Sequence, residues 1–233
     1  TKTPTRRPTP APATPTPGAG GRPKVIVPVI VHAEGVGGTV WRSDVVVANR
    51  GWQAQQLRFS YVNPDKVAFT VTRSLPAFAT LMLEDLVANL FGAGSGRGPL
   101  SVEVLTEGTQ PPAVVARAYA ENSFGSLGSG LSADVQPAAA AVSMPGLIHD
   151  GELRTNIAVT AGDADVVATF ELFRGLEGKV AGGVQRSIAA RSQDQWTIAQ
   201  LFPGKALAGV PMTVRASLSK AAIVLASLVD NAS

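Results

Sequence analysis

The chain has 233 residues, 45% apolar and only 16% charged, so it can bury a sizeable core and is not disordered as a whole. Its formal charge of +3 lies in the first 24 residues, where Lys2, Arg6, Arg7, Arg22 and Lys24 meet no acid. The fifteen remaining bases face all seventeen acids, which leaves −2 on the rest and removes support for a basic, nucleic-acid-binding fold. With no cysteine, disulfides and thiolate metal sites are excluded. No run of about 18 apolar residues is present to span a membrane as a helix. Abundant Gly (24) and Pro (17) fit short strands joined by many turns better than a helical bundle. The chain opens on Thr1 with no signal-peptide pattern, which reads as a processed or excised fragment.

Residues 1–24 alternate Pro with Thr and Ala, and no large apolar residue occurs before position 25. Such a segment cannot bury enough apolar surface to offset its ordering entropy, and its prolines favour an extended form. We read it as a linker or stalk. Thr3, Thr5, Thr9, Thr14 and Thr16 beside prolines resemble O-glycosylated spacers, although an unmodified spacer explains the composition as well.

From residue 25 the pattern becomes β-type. Residues 25–31 form a strand whose Pro28 predicts an edge position or a bulge. A Gly-rich turn over 34–38 leads to 41–47, where Trp41, Ser43, Val45 and Val47 share one face and Arg42, Asp44 and Val46 the other. Strands over 57–62 and 67–72 are joined through Asn63-Pro64-Asp65-Lys66, a hairpin signal. Leu83, Leu86, Val87 and Leu90 have helical spacing, with Glu84 and Asp85 at the start and Gly92 at the end, which predicts one short connector helix. A flexible loop is expected over 92–98, then strands over 100–106 and 113–122, and a Gly/Ser-rich stretch over 124–132 ends the first half.

The second half repeats this order: strands over 138–144, 153–160, 166–173 and 184–189, a connector over 196–202, and strands over 212–217 and 222–231. Arg42 to Arg154 is 112 residues, Phe91 to Phe202 is 111, Val102 to Val214 is 112 and Asn122 to Asn231 is 109. Four landmarks in one order at nearly one period predict a tandem duplication whose unit is a domain. The expected fold is all-β: two tandem Ig-like β-sandwiches, residues 25–134 and 135–233, each with one short connector helix, without the cysteine pair of antibody-type domains.

Several stretches carry a family resemblance. They are Trp41-Arg42-Ser43-Asp44 with its alternating valines and Asn49-Arg50-Gly51, the run from Leu83 to Gly92, Val114 to Tyr119, Leu153 to Ile157, and Ala226 to Ser233. Over about residues 25–233 the chain resembles a tandem module of many secreted bacterial proteins, a functionally uncharacterised family often appended to extracellular enzymes or surface modules. The resemblance implies an extracellular or cell-surface location and supplies no active site. The chain departs from it after Val159, where Ala161-Gly162-Asp163 replaces an Asn-centred turn.

Candidate sites are few. Arg42 with Asp44, and Arg154 with Asn156, could contact a carboxylate or sugar hydroxyls, but their recurrence in both halves suits a polar cover of a sheet. His32 and His149 are too few for a multi-histidine metal site, and no nucleophile elbow accompanies His149-Asp150. Glu84 and Asp85 are better placed to serve a helix dipole than glycoside hydrolysis. The 92–98 glycines follow a helix and precede a strand, the reverse of a phosphate loop. Trp52, in a turn beside Gln53, Gln55 and Gln56, could stack a sugar ring if exposed, or could be tucked under its loop. Trp41 and Trp196 fall on core faces.

No catalytic, cofactor or metal site is therefore expected. The reading is a non-catalytic surface module, a spacer, adhesion unit or filament subunit. It would self-assemble or meet protein neighbours through the strand bearing Val25, Val27 and Val29 or through the N-terminal segment. The alternative is a carbohydrate-binding accessory domain that meets glycans through Trp52, Arg42 and Asp44.

Overall fold

The computed structural model describes residues 22–35, 38–122, 125–132, 138–205 and 209–230. The expected stalk over 1–21, part of the 34–38 turn, and the boundary placed between 134 and 135 lie outside them. The described chain is predominantly β, folded into two curled antiparallel sheets.

In the first half the strands are β1 (Lys24–Glu34), β2 (Val40–Ala48), β3 (Gln55–Val62), β4 (Ala68–Leu75) and β5 (Thr80–Leu83). The helix α1 (Leu86–Asn89) follows, then β6 (Gly96–Val104), β7 (Ala113–Asn122) and β8 (Gly125–Ser132). One layer runs β4-β3-β6-β1 and the other β5-β2-β7-β8. β1 joins them: its first nine residues lie along β6, while Ala33 and Glu34 pair with β2. The register shifts between Val27 and Ile30, so Pro28, which has no N–H to give a ladder, sits at the expected irregularity. Alternation does the rest: Leu57, Phe59 and Tyr61 from β3 meet Val45 and Val47 from β2 in a dry core.

The second half contains β9 (Ala139–Leu147), β10 (Leu153–Thr160), β11 (Val166–Arg174), β12 (Gly178–Ile188), β13 (Gln193–Thr197), α2 (Ile198–Leu201) and β14 (Met212–Asp230). Among the described residues the pairings of the first half recur, except β1 with β2 and β7 with β8. β11 lies between β12 and the start of β14, as β3 lies between β4 and β6. β9 flanks β14 as β1 flanks β6, and β10 lies between β13 and the end of β14, as β2 lies between β5 and β7. A second core forms around Phe170, Leu172, Ile157 and Phe202.

Four local expectations need correction. The stretch read as a Gly/Ser-rich terminus contains β8, paired with β7 from Val115 to Asn122. The stretch read as a flexible 92–98 loop already becomes β6 at Gly96. A Cβ at Gly98 would run into the carbonyl of Val62 and one at Gly96 into the Tyr61 hydroxyl, so glycine lets β3 come close. The last two expected strands are one, β14, which crosses from one layer to the other near Lys220. Finally, Asp85 does not serve a helix dipole: it is the cap residue of a four-residue helix, in the left-handed region (φ 41), and its side chain caps nothing. The second connector is better terminated. Thr197 and Gln200 form a reciprocal capping box at the start of α2.

The two halves meet along β1. Thr160 Oγ1 donates 3.1 Å to the Pro28 carbonyl in a buried contact, and β10 is buried on both faces toward its end. Lys24 pairs with Asp163 at 2.6 Å and Lys66 with Asp194 at 3.3 Å on either side.

Candidate functional site

Sequence patterning places Arg42 and Asp44 on the outer face of β2, and the structure gathers around them a cluster drawn from four elements. Asp44 accepts from Arg117 Nη2 at 3.1 Å, from the Tyr119 hydroxyl at 3.3 Å and from the backbone N–H of Asp85 at 3.0 Å. The Arg117 guanidinium lies 4.1 Å from the centroid of the Tyr119 ring. The Asp85 carboxylate reaches His32 Nδ1 at 2.8 Å and stands 3.7 Å from Arg42 Nε. Asp44 is only 7% exposed, so it lies beneath this cover rather than offering itself to a ligand. The arrangement pins α1 and the end of β1 to β2. A charge buried with several donors is held by them and is costly to leave unpaired.

His32 is therefore a strand residue bonded to an acid. His149 lies in the turn before β10, remote in sequence from that cluster, and Asp150 beside it caps the N–H groups of Glu152 and Leu153 instead. Among the described residues, no group of three or more His, Cys, Asp or Glu side chains is arranged to hold a metal ion.

Trp52 is the residue the structure places most distinctively. It is 87% exposed, and its ring meets Phe78, itself 57% exposed, edge to face at 4.7 Å between centroids. The pair stands at one end of the first half, on the turn between β2 and β3 and the turn between β4 and β5. One buried side chain ties these turns together. Asn49 Nδ2 donates 2.8 Å to the Gln53 carbonyl and 2.9 Å to that of Pro76, while Asn49 Oδ1 accepts from Gly51 N–H. The Asn49 N–H also donates to the Ala79 carbonyl at 2.9 Å. Phe78 takes φ 56, a left-handed backbone that a bulky residue adopts only when its surroundings impose it. The arrangement is a rigid apolar pair facing water, with the polar exposed residues Arg50 and Gln53 beside it.

The valines of the 25–31 strand are placed differently. Val25 and Val27 point into the core and Val29 is half-buried. The strand's carbonyl at Pro28 is taken by Thr160, so the second half already rests on β1. Trp196 packs on the second core, edge to face with Phe170, and Trp41 is half-buried.

A groove of about 430 Å³ follows the seam between the halves. Its floor is the outer face of β1, β3 and β6, and Asp163 and Arg191 close one side. Arg58 pairs with Glu103 there, and Lys24 and Arg191 with Asp163. The Lys24 hydrogen bond, aided by Arg191 and opposed by partial burial, holds the Asp163 carboxyl below its usual range.

No family model matches the chain, and no curated protein is significantly similar to it. Asn49 and Phe78 are the site residues that pattern reading does not single out, and Asp85 enters it only as a helix-start acid. The only signal for Asn49 is its turn-forming Asn-Arg-Gly context.

Proposed function

We propose that this chain is a non-catalytic extracellular or cell-surface module of two Ig-like β-sandwiches related by duplication. In this reading the Pro/Thr-rich N-terminal segment holds the pair out, and the molecule serves as spacer, adhesion unit or filament subunit. Apart from β1 with β2, the sheet pairings of β1 to β7 recur within β9 to β14, which supports the duplication. The observation that carries a contact function is the Trp52–Phe78 pair. Two large apolar rings in water are unfavourable unless they meet something, and Asn49 fixes them before any partner arrives, which lowers the ordering cost of binding.

A second reading, a carbohydrate-binding accessory domain, rests on the same exposure. A Trp face beside Arg50 and Gln53 suits a sugar ring, with stacking on the indole and hydroxyls toward the polar side chains. Arg42 and Asp44 take no part in it, because the cluster on β2 occupies them. Immobilised chain probed with cell-envelope fractions and a glycan array separates the two. Retention lost in both Trp52→Ala and Phe78→Ala, and unaffected by soluble oligosaccharides, supports adhesion to protein. Competition by an oligosaccharide favours the glycan reading, and retention unchanged in both variants removes the tip from either.

A further inference from the structure

We propose that the Trp52–Phe78 tip of the first half docks on the outer face of β9, β14 and β11 of a second copy of this chain. The contact repeats between molecules the one that the second half makes with the first. It rests on the contact function of the aromatic pair and gives that pair its partner. The second half has a tip of the same build. Asn49 N–H donates to the Ala79 carbonyl at 2.9 Å and Ala79 N–H to that of Pro76 at 3.2 Å. Ala161 N–H donates to the Ser192 carbonyl at 2.9 Å and Ser192 N–H to that of Ala189 at 3.2 Å. Phe78 (φ 56) and Arg191 (φ 60) hold one position and share its left-handed backbone. The ladders agree: Ala48 pairs with Thr80 as Thr160 does with Gln193, and Val46 with Met82 as Ala158 does with Gln195.

One tip is covered and the other is bare. At the tip that rests on β1, Thr160, Ala161 and Gln193 are buried, Thr160 bonds the Pro28 carbonyl and Asp163 takes Lys24. In the first half Ala48 is half-buried, while Thr80, Phe78 and Met82 are exposed. Yet the bare tip is the more apolar. Phe78 stands where the covered tip has Arg191, Met82 where it has Gln195 and Ala48 where it has Thr160, and the turn adds Trp52. Aromatic side chains and methionine gathered in this way are the composition of an interface core.

The seam also shows what such a tip fits. The receiving face there is the outer side of β1, β6 and β3, whose entry strand carries a proline at its bulge, Pro28. The second half presents the matching face. β9 shifts register between Met144 and Leu147, where Pro145 stands. Ser143, Arg215 and Glu171 form a row across β9, β14 and β11, as Lys24, Glu103 and Arg58 do across β1, β6 and β3. Ser143, Pro145 and Arg215 are exposed, whereas the first face already lies under the second half of its own molecule. Counted from Asn49 and Ala161, Gly51 matches Asp163, and by the row Ser143 matches Lys24. The Asp163–Lys24 contact of the seam therefore places the 50–52 turn of one copy beside Ser143 of the next. Such a head-to-tail contact leaves a free tip at one end and a free face at the other, so copies add in series.

Sedimentation velocity of the full chain across a wide concentration range should show reversible association that continues past the dimer. Trp52→Ala and Phe78→Ala on the tip, and Ser143→Arg on the face, should each raise the dissociation constant by about tenfold without moving the thermal midpoint. The chain has no cysteine, so crosslinking can be directed. Arg50→Cys and Ser143→Cys chains mixed with a short bismaleimide should give a joined pair, and Arg50→Cys with Val115→Cys, exposed on β7, should not. The proposal is overturned by association indifferent to Trp52→Ala, by position 50 joining 115 as readily as 143, or by association lost on deletion of residues 1–21. A monomeric chain whose envelope retention still depends on Trp52 overturns this contact alone and leaves the aromatic pair a different partner. Independence of Trp52 in both assays overturns the two readings together.

Discussion

At the scale of single residues, two aromatic side chains illustrate opposite problems. Trp52 is exposed where burial would be favourable, and Tyr61 is buried where its hydroxyl would prefer water. Since Trp52 touches little besides Phe78, Trp52→Ala should change unfolding free energy by less than about 0.5 kcal/mol while removing partner retention, as checked by urea titration alongside the binding assay. Tyr61 is fully buried, its hydroxyl has no hydrogen-bond partner among the described residues, and burial, aided by the negative charge of Asp65, pushes its pKa up to about 12 from 10.0. The folded state therefore holds the phenol proton more tightly than the unfolded state does. That contribution is complete below pH 10 and is lost as pH rises toward and through 12. Tyr61→Phe removes both the unpaired hydroxyl and this titration. It should leave stability at neutral pH unchanged or raised by up to about 1 kcal/mol and should flatten the alkaline decline in melting temperature. A variant that melts well below wild type at pH 7 would mean the hydroxyl is satisfied in solution.

At the scale of elements, the strand positions of β2, β3, β10 and β11 were legible because one face of each is apolar and the period of two is unbroken. The Leu57, Phe59 and Tyr61 series leaves little choice of register. What escaped were elements whose identity is decided by a distant neighbour. β8, with three glycines and two serines before Leu131, has no alternating apolar face of its own and is a strand because β7 offers it an edge. Gly96 and Gly98 look like a loop in isolation, yet they are demanded by the closeness of β3, which no local rule encodes. Gly98→Ala should accordingly destabilise by about 1–3 kcal/mol in thermal or urea unfolding, the cost of displacing a packed backbone. A near-neutral result would show that β6 can slide away from Val62. For the candidate site, the pattern exposed Trp52 as a residue to watch but could not tell a tucked ring from a projecting one. That depended on Asn49 joining two turns 26 residues apart.

At the scale of the whole molecule, the question is what keeps the two halves in one relation. The buried Thr160 contact with Pro28 supplies position, and the partly exposed ion pairs Lys24–Asp163 and Lys66–Asp194 flank it. The seam should therefore be sensitive to conditions that leave both cores intact. Asp163 gives it a defined acid limit. Its carboxyl is held below its ordinary value of 3.8 chiefly by the hydrogen bond from Lys24, so the stabilisation is present above that value and is lost as pH falls through the lowered one. Small-angle scattering from wild type should stay constant through mildly acid pH and report a larger radius of gyration only under stronger acid, while circular dichroism still reports intact sheets. Asp163→Asn should show the larger radius at neutral pH and no step of its own on acidification. If scattering from that variant matches wild type at every pH, the relation of the halves is set by the Thr160–Pro28 contact alone, and Thr160→Val becomes the substitution that should loosen it.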